Sequence, residues 1–253
     1  MTLRLLFLLT MIATLLPIYS AEPDSRCFEM RTYYAAPGKL DDLLARFRQH
    51  TVALLEKHGI CNIGFWTPME NTENKLVYVL AYPSREAREK SWKEFAADPE
   101  WKAAKEASEA NGKLVTKVVS TFLSATDFSP EVKPSAAAPR VFELRTYTAT
   151  EGNLERLKAR FRDHTVALFT KHGMTNLFYW TPMPDQPAAE KTLVYMLAHK
   201  DAKAAKESFA AFRADPDWIA AKDASEKAGG GSLTIPDGVK SEFLQATDFS
   251  PTR

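Results

Sequence analysis

The sequence predicts an α+β protein: two tandem ferredoxin-like βαββαβ units packed sheet-to-sheet as an internal α+β barrel. Three observations carry this expectation. First, the chain repeats itself. Phe28-Glu29-Met30-Arg31-Thr32-Tyr33 returns as Phe142-Glu143-Leu144-Arg145-Thr146-Tyr147, Trp66-Thr67-Pro68-Met69 as Trp180-Thr181-Pro182-Met183, and Ala125-Thr126-Asp127-Phe128-Ser129-Pro130 as Ala246-Thr247-Asp248-Phe249-Ser250-Pro251, always in the same order. Second, the hydrophobic period inside each copy alternates between strand and helix in the order βαββαβ. Third, the strands are apolar on both alternating sets. A sheet covered by helices on one face would leave the other face bare, and a second copy on the same chain can cover it.

The elements of the first copy follow from local chemistry. Phe28 to Tyr34 alternates and is rich in aromatics, as a strand is. Pro37-Gly38 punctuates, and Lys39 to His58 places Leu40, Leu43, Leu44, Phe47, Leu54 and Leu55 on a helical stripe that Gly59 stops. Ile60 to Thr67 is a second strand ended by Pro68. The polar turn Glu70 to Asn74 leads into a third strand, Lys75 to Tyr82, in which Leu76, Tyr78, Leu80 and Tyr82 face one way and Val77, Val79 and Ala81 the other. Ser84 can cap a helix that runs to Ala97, and Asp98-Pro99 restarts it with an N-cap and a first-turn proline. Lys113 to Leu123, rich in Val and Thr, is the fourth strand. The second copy repeats this order with three extra residues around Pro184 to Glu190 and four around Gly229-Gly230-Gly231, both at turns, where added length costs little. The copies occupy residues 27–128 and 141–251, and the Pro/Ala-rich stretch 129–140 reads as a semi-extended linker.

Composition narrows the class. The 253 residues are 45% hydrophobic and 26% charged with a net charge of +1, values of a globular protein. So balanced a charge gives no long-range field for nucleic acid or an anionic membrane, so no nucleic-acid partner is expected. Residues 1–21 read as a secretory signal peptide: Arg4, an uncharged run from Leu5 to Leu16, then Ser20 and Ala21. The run is too short for a bilayer core that needs about 20 residues, so no integral span is expected after cleavage and the mature chain is expected to be exported, periplasmic or secreted. The two cysteines, Cys27 and Cys61, lie in the first copy and face Val141 and Thr175 in the second, so the fold cannot depend on a bridge between them.

Several side chains carry candidate chemistry. Glu29, Arg31 and Tyr33, with Glu143, Arg145 and Tyr147, share one face of their strands. If the helices cover the Phe28/Met30 side, these trios face the space between the sheets. There they either bind a polar small molecule or form ion pairs that fix the register. Asn62 and Trp66, with Asn176 and Trp180, alternate along the second strand as walls of the same space or as core residues. His50 and His164 are candidates to reach that cavity as a base. His58 and His172 stand in a last helical turn, where a cation meets the negative helix end. His50 and His58 are roughly 12 Å apart along the axis, too far to share one metal ion, and no metal site is expected. His199 replaces Tyr82 and has no counterpart. No CxxC, HExxH, phosphate loop or GxSxG elbow occurs.

The combination of Phe-Glu-Met-Arg-Thr-Tyr, Pro37-Gly38-Lys39-Leu40, His50, Leu54-Leu55-Glu56-Lys57-His58-Gly59, Gly64-Phe65-Trp66-Thr67 and Asp98-Pro99-Glu100-Trp101 resembles the NIPSNAP family, once per copy. The resemblance implies the dimeric α+β-barrel fold and no settled activity. In the second copy Glu151-Gly152 stands in place of Pro37-Gly38. The wider superfamily includes cofactor-free monooxygenases and haem enzymes, a likeness of fold only. Three functions follow as expectations: a protein holding a small hydrophobic or amphipathic ligand inside the barrel, an oxygenase without cofactor or linked to haem through His50 or His164, or an interaction scaffold. Whether whole chains pair further as a homo-oligomer is not legible in the sequence.

Overall fold

The computed structural model describes residues 24–137 and 140–253. The signal-peptide expectation for residues 1–21 lies outside them. In the first half, β1 (Cys27–Ala35) is followed by α1 (Leu40–Arg46), a π-turn (Phe47–Thr51) and α2 (Val52–Lys57), then β2 (Cys61–Pro68), β3 (Lys75–Tyr82), α3 (Arg85–Ala97), α4 (Pro99–Ser108) and β4 (Val115–Ala125). The second half repeats this as β5 (Val141–Ala149), α5 (Leu154–Arg160), a π-turn (Phe161–Thr165), α6 (Val166–Lys171), β6 (Thr175–Pro182), β7 (Thr192–His199), α7 (Ala202–Ala214), α8 (Pro216–Gly229) and β8 (Thr234–Ala246). The single first helix expected from the periodicity is interrupted in each copy by one π-turn, where Thr51 and Thr165 hydroxyls donate to the Arg46 and Arg160 carbonyls at 3.2 and 3.1 Å.

The strands close a barrel in the order β1-β3-β2-β8-β5-β7-β6-β4. Within each half, β1 and β5 are central and make the long antiparallel ladders. The halves are stitched edge to edge by short ladders, Trp66–Pro68 on Leu244–Ala246 and Leu123–Ala125 on Trp180–Pro182. Closure covers the two faces that the helices leave bare, as the sheet-to-sheet expectation required. Phe28, Trp66, Val79, Leu123, Phe142, Phe178, Trp180 and Met196 form one cluster between the sheets. Phe28 meets Trp180 at 6.0 Å and Trp66 meets Phe142 at 5.8 Å, so each half inserts into the other. A second and a third cluster lie under the helices, around Tyr78 and Phe95 and around Tyr195 and Phe212.

The stretch read as a linker has no helix or strand in its described residues 131–137 and is anchored to the barrel by one side chain. Val132 is fully buried in the barrel cluster, and Ser135 and Ala137 exchange backbone hydrogen bonds with Arg253. The C-terminal tail and the linker thus lie along the barrel together. Thr252 donates to the Ile63 carbonyl, and Ser129 accepts from the Tyr179 amide at 3.1 Å. Both cysteines are free, Cys27 buried and Cys61 exposed. Among the described residues no helix is long and apolar enough to cross a membrane.

The main correction concerns direction. Glu29, Arg31 and Tyr33 do not face the space between the sheets; they face the helices, as do Glu143, Arg145 and Tyr147. Phe28, Met30 and Leu144 take the barrel side instead. The reason is partnership. The barrel side meets only apolar side chains of the other half, whereas α3 brings Arg88 and Trp92 to the helix side, where a buried carboxylate can be satisfied.

Candidate functional site

Each half carries one buried polar network between its sheet and its helices. In the first half the Glu29 carboxylate, with no exposure, collects five donors. Arg88 reaches it from α3 through Nε at 3.0 Å and Nη2 at 2.9 Å. Tyr82 donates at 2.9 Å, Ser120 at 2.6 Å, and Arg31 closes the set. Arg31 is held in turn by the Tyr78 hydroxyl at 2.8 Å and by Trp92, whose ring lies 4.5 Å from its guanidinium. Trp92 also donates to the Tyr82 oxygen at 2.7 Å. Burial pushes the Glu29 carboxyl up, but the Arg88 hydrogen bonds, the Arg31 charge and Ser120 outweigh it and bring it down to about 2. This is a closed, fully satisfied ion cluster, and as such a structural element.

The second half keeps the carboxylate and loses much of its cover. Glu143 accepts from Arg145, from Ser241, and from His199 Nε2 at 2.9 Å. Ala205 stands where Arg88 stood, His199 where Tyr82 stood, and Phe209 where Trp92 stood. Glu143 therefore has three donors against the five of Glu29. Burial raises its carboxyl, yet the His199 hydrogen bond, the Arg145 charge and Ser241 hold it below the ordinary value. Facing an ionised carboxylate, His199 carries its proton on Nε2. Its Nδ1, the Arg145 Nε and the Tyr195 hydroxyl are buried with no hydrogen-bond partner among the described residues.

A pocket of about 510 Å³ opens beside this second network. Pro68, Met69 and Phe243 give it apolar walls, Ala202 comes from the first turn of α7, and Ser241, Glu70 and Glu242 are its polar groups. Ser241 joins it to Glu143. The corresponding place in the first half is filled. Arg85, the counterpart of Ala202, lies with its guanidinium 3.3 Å from the Phe122 ring centroid and pairs with Asp185 at 3.6 Å, while Gln186 accepts from the Phe122 amide at 3.1 Å. Asp185 and Gln186 belong to the longer β6–β7 loop, the insertion around Pro184 to Glu190. A slightly larger pocket of 560 Å³ lies at the β4–β6 junction, against Lys158 and Glu190, and shares no residue with either network.

The remaining candidates are distributed as follows. Trp66 and Trp180 do stand between the sheets, and neither indole N–H has a partner among the described residues. They are not equivalent. Trp180 leans on Phe178 at 5.1 Å, whereas the Trp66 ring occupies the space over Gly64, where a Cβ would come within 2.2 Å of it. Asn62 and Asn176 face the helices and donate to the carbonyls of Val52 at 3.1 Å and Val166 at 3.0 Å, sewing strand to helix. His50 and His164 are exposed on the outer helical surface, away from the barrel, and the inward positions of the π-turns are held by Phe47 and Thr51 and by Phe161 and Thr165. His58 and His172 end α2 and α6, and each meets the aspartate that caps α4 or α8, Asp98 or Asp215, at 2.7 Å. Sequence reasoning missed Arg88, Ser120 and Ser241 entirely. The signal was the pair Arg88/Trp92, one turn apart on α3, and its replacement by Ala205/Phe209.

The fold and the networks define a single-chain α+β barrel of two ferredoxin-like halves. The NIPSNAP family model matches residues 28–130 and again 142–251, and the chain belongs to the NIPSNAP family. Among solved structures, it is similar along most of its length to a candidate monooxygenase of Lactobacillus acidophilus, with 10% identity, 90% of this chain and 95% of that one covered, and a TM-score of 0.58. A candidate monooxygenase of Fusobacterium nucleatum is similar at 11% identity, with 88% and 92% covered and a TM-score of 0.56. At such identities the likeness is one of fold. An uncharacterised NIPSNAP domain protein of Burkholderia xenovorans matches 42% of this chain over 99% of its own, at 27% identity and a TM-score of 0.37. No curated protein matches the sequence.

Proposed function

We propose that this NIPSNAP protein is an exported binding protein for a small amphipathic molecule, which it takes in the second half, in the pocket between β8, the β2–β3 turn and the start of α7. The observation that carries this reading is the contrast between two places of common descent. One is closed by Arg85, Arg88 and Gln186. The other is open, with bare Phe243 and Met69 as an apolar wall and Ser241 leading to the buried Glu143–His199 pair. An apolar wall with a few convergent polar groups, one of them a buried titratable pair, is the general form of a small-molecule site. Native mass spectrometry of protein purified from its source tests this. A retained small molecule that is lost in Ala202→Arg supports it, and protein that carries none, with or without the substitution, overturns it.

A second reading rests on His199. Its ring lies 6.3 Å from that of the pocket residue Phe243, its buried Nδ1 has no hydrogen-bond partner among the described residues, and the full-length fold neighbours are candidate monooxygenases. On this reading His199 takes a proton from a bound quinol-like substrate before reaction with oxygen, with Glu143 stabilising the imidazolium. Oxygen uptake with added quinols, abolished in His199→Phe, supports it; no uptake refutes it.

A further inference from the structure

The first half shows what the open pocket of the second half is built to hold. Over Phe122 lies the guanidinium of Arg85, 3.3 Å from the ring centroid, with that of Arg88 at 5.2 Å. Arg85 also pairs with Asp185, an acidic residue contributed by the turn of the opposite half. Over Phe243 neither cation exists, since both arginines are alanines, while the acidic surroundings persist. Glu70 comes from the opposite half's turn and Glu242 from β8 itself, and the pocket lining carries these two carboxylates and no basic side chain. Glu242 is paired with the Lys75 ammonium at 2.7 Å, which Glu73 also meets at 2.9 Å, so Glu70 is the carboxylate of the lining that makes no ion pair among the described residues. At the α7 N-terminus Asp201 accepts from the Ala204 amide at 2.7 Å and sets its own carboxylate against the positive helix end. Ser241 spends its proton on Glu143, leaving its oxygen as an acceptor toward the pocket.

The polar side chains of this lining are thus acceptors or anions, and its apolar wall includes an aromatic face of negative quadrupole. We infer that the ligand is a cationic amphiphile: a guanidinium, amidinium or primary ammonium group that lies over Phe243 beside Glu70, as Arg85 lies over Phe122 beside Asp185, joined to an apolar body that packs on Met69 and Pro68. This inference rests on the pocket proposed above. It adds the sign of the ligand's charge and the residue whose side chain the ligand imitates.

The test uses three probes of one chain length, hexylguanidine, hexanol and hexanoate, titrated calorimetrically into the full chain. Hexylguanidine is expected to bind at least tenfold more tightly than hexanol, with hexanoate weakest. Glu70→Gln is expected to remove most of that preference, and raised salt to reduce it. Ala202→Arg, which returns the guanidinium covalently at an exposed first-turn position, is expected to abolish binding of all three. A salt-insensitive order with hexanoate equal to or above hexylguanidine overturns the cationic assignment while the pocket stands. Absence of saturable binding by any probe overturns both. Glu70→Lys serves where Ala202→Arg does not fold, and it must weaken hexylguanidine and not hexanoate.

Discussion

Arg88→Ala is the most informative single substitution in the first half, because the second half already contains it. The change removes two charge-assisted hydrogen bonds, at 3.0 and 2.9 Å, from a carboxylate with no solvent exposure. Each such bond is worth roughly 1.5–3 kcal/mol, and breaking a buried pair costs about 3–5 kcal/mol when no other cation remains. Arg31, Tyr82 and Ser120 stay, so about 3 kcal/mol is expected. That corresponds to a fall in Tm of about 6–12 °C for a cooperative unit of this size. The second half tolerates alanine there because His199 and Phe209 replace Tyr82 and Trp92, so that no indole N–H is stranded when the tyrosine oxygen goes. Combining Arg88→Ala with the pair Tyr82→His/Trp92→Phe is therefore expected to cost about 1–2 kcal/mol less than the sum of Arg88→Ala alone and that pair alone. Urea unfolding of the four proteins measures this. Additivity within about 0.5 kcal/mol, or an Arg88→Ala protein as stable as the parent, refutes the account of Glu29 as a carboxylate held by its donors.

Further outcomes follow from the same structure. Glu29 titrates at about 2 in the folded chain against an ordinary 4.5, so its stabilising contribution is complete above pH 4.5 and is lost as the pH falls toward 2. The shift is worth about 3 kcal/mol, and the stability difference between the parent and Glu29→Gln, measured by chemical unfolding, is expected to shrink through that window and to be flat from pH 6 to 8. Gly64→Ala is expected to lower stability by roughly 1–3 kcal/mol, because its Cβ would stand 2.2 Å from the Trp66 ring; thermal unfolding with tryptophan emission reports both the loss and the displaced indole. Burial raises the Cys27 thiol to about 11 and hides it, while Cys61 is exposed, so a thiol reagent at pH 8 is expected to label one cysteine in the native chain and two in urea.

Much of the fold was legible because duplication repeats every local signal. Ser84 and Asp98 do cap α3 and α4, accepting from the Ala87 amide at 3.2 Å and the Glu100 amide at 2.8 Å, as residue type and position implied. Strand parity set Asn62 with Trp66 and Asn176 with Trp180 on one face, but a bulge after each asparagine turns it to the helices and leaves only the tryptophans in the barrel. Parity could not say which face of β1 met the helices, since both alternating sets are apolar in β3 and only relative position distinguishes them. The deciding residue, Arg88, lies more than fifty positions from Glu29 and looks in sequence like one more exposed helical charge. The π-turns were invisible for a related reason: one extra residue in a twenty-residue helical pattern changes phase without changing composition. Val132 was misread because a lone valine in a Pro/Ala-rich stretch carries no period.

The asymmetry of the two networks has a topological cause that bears on how the site arose. β6 of the second half pairs with β4 of the first, so the longer β6–β7 loop of the second copy closes the first copy's pocket, with Asp185 and Gln186 reaching Arg85 and Phe122. The short β2–β3 turn of the first copy borders the second copy's pocket and leaves it open. Each place is therefore controlled by both copies at once, by the helix of its own half and the turn of the other. In a symmetric dimer of single units one gene would set both, and closing one place would close its twin. Joining the units on one chain uncouples them. Arg85, Arg88 and the loop insertion can lock one half as framework, while Ala202, Ala205 and His199, three changes on neighbouring elements, open the other half at a single spot.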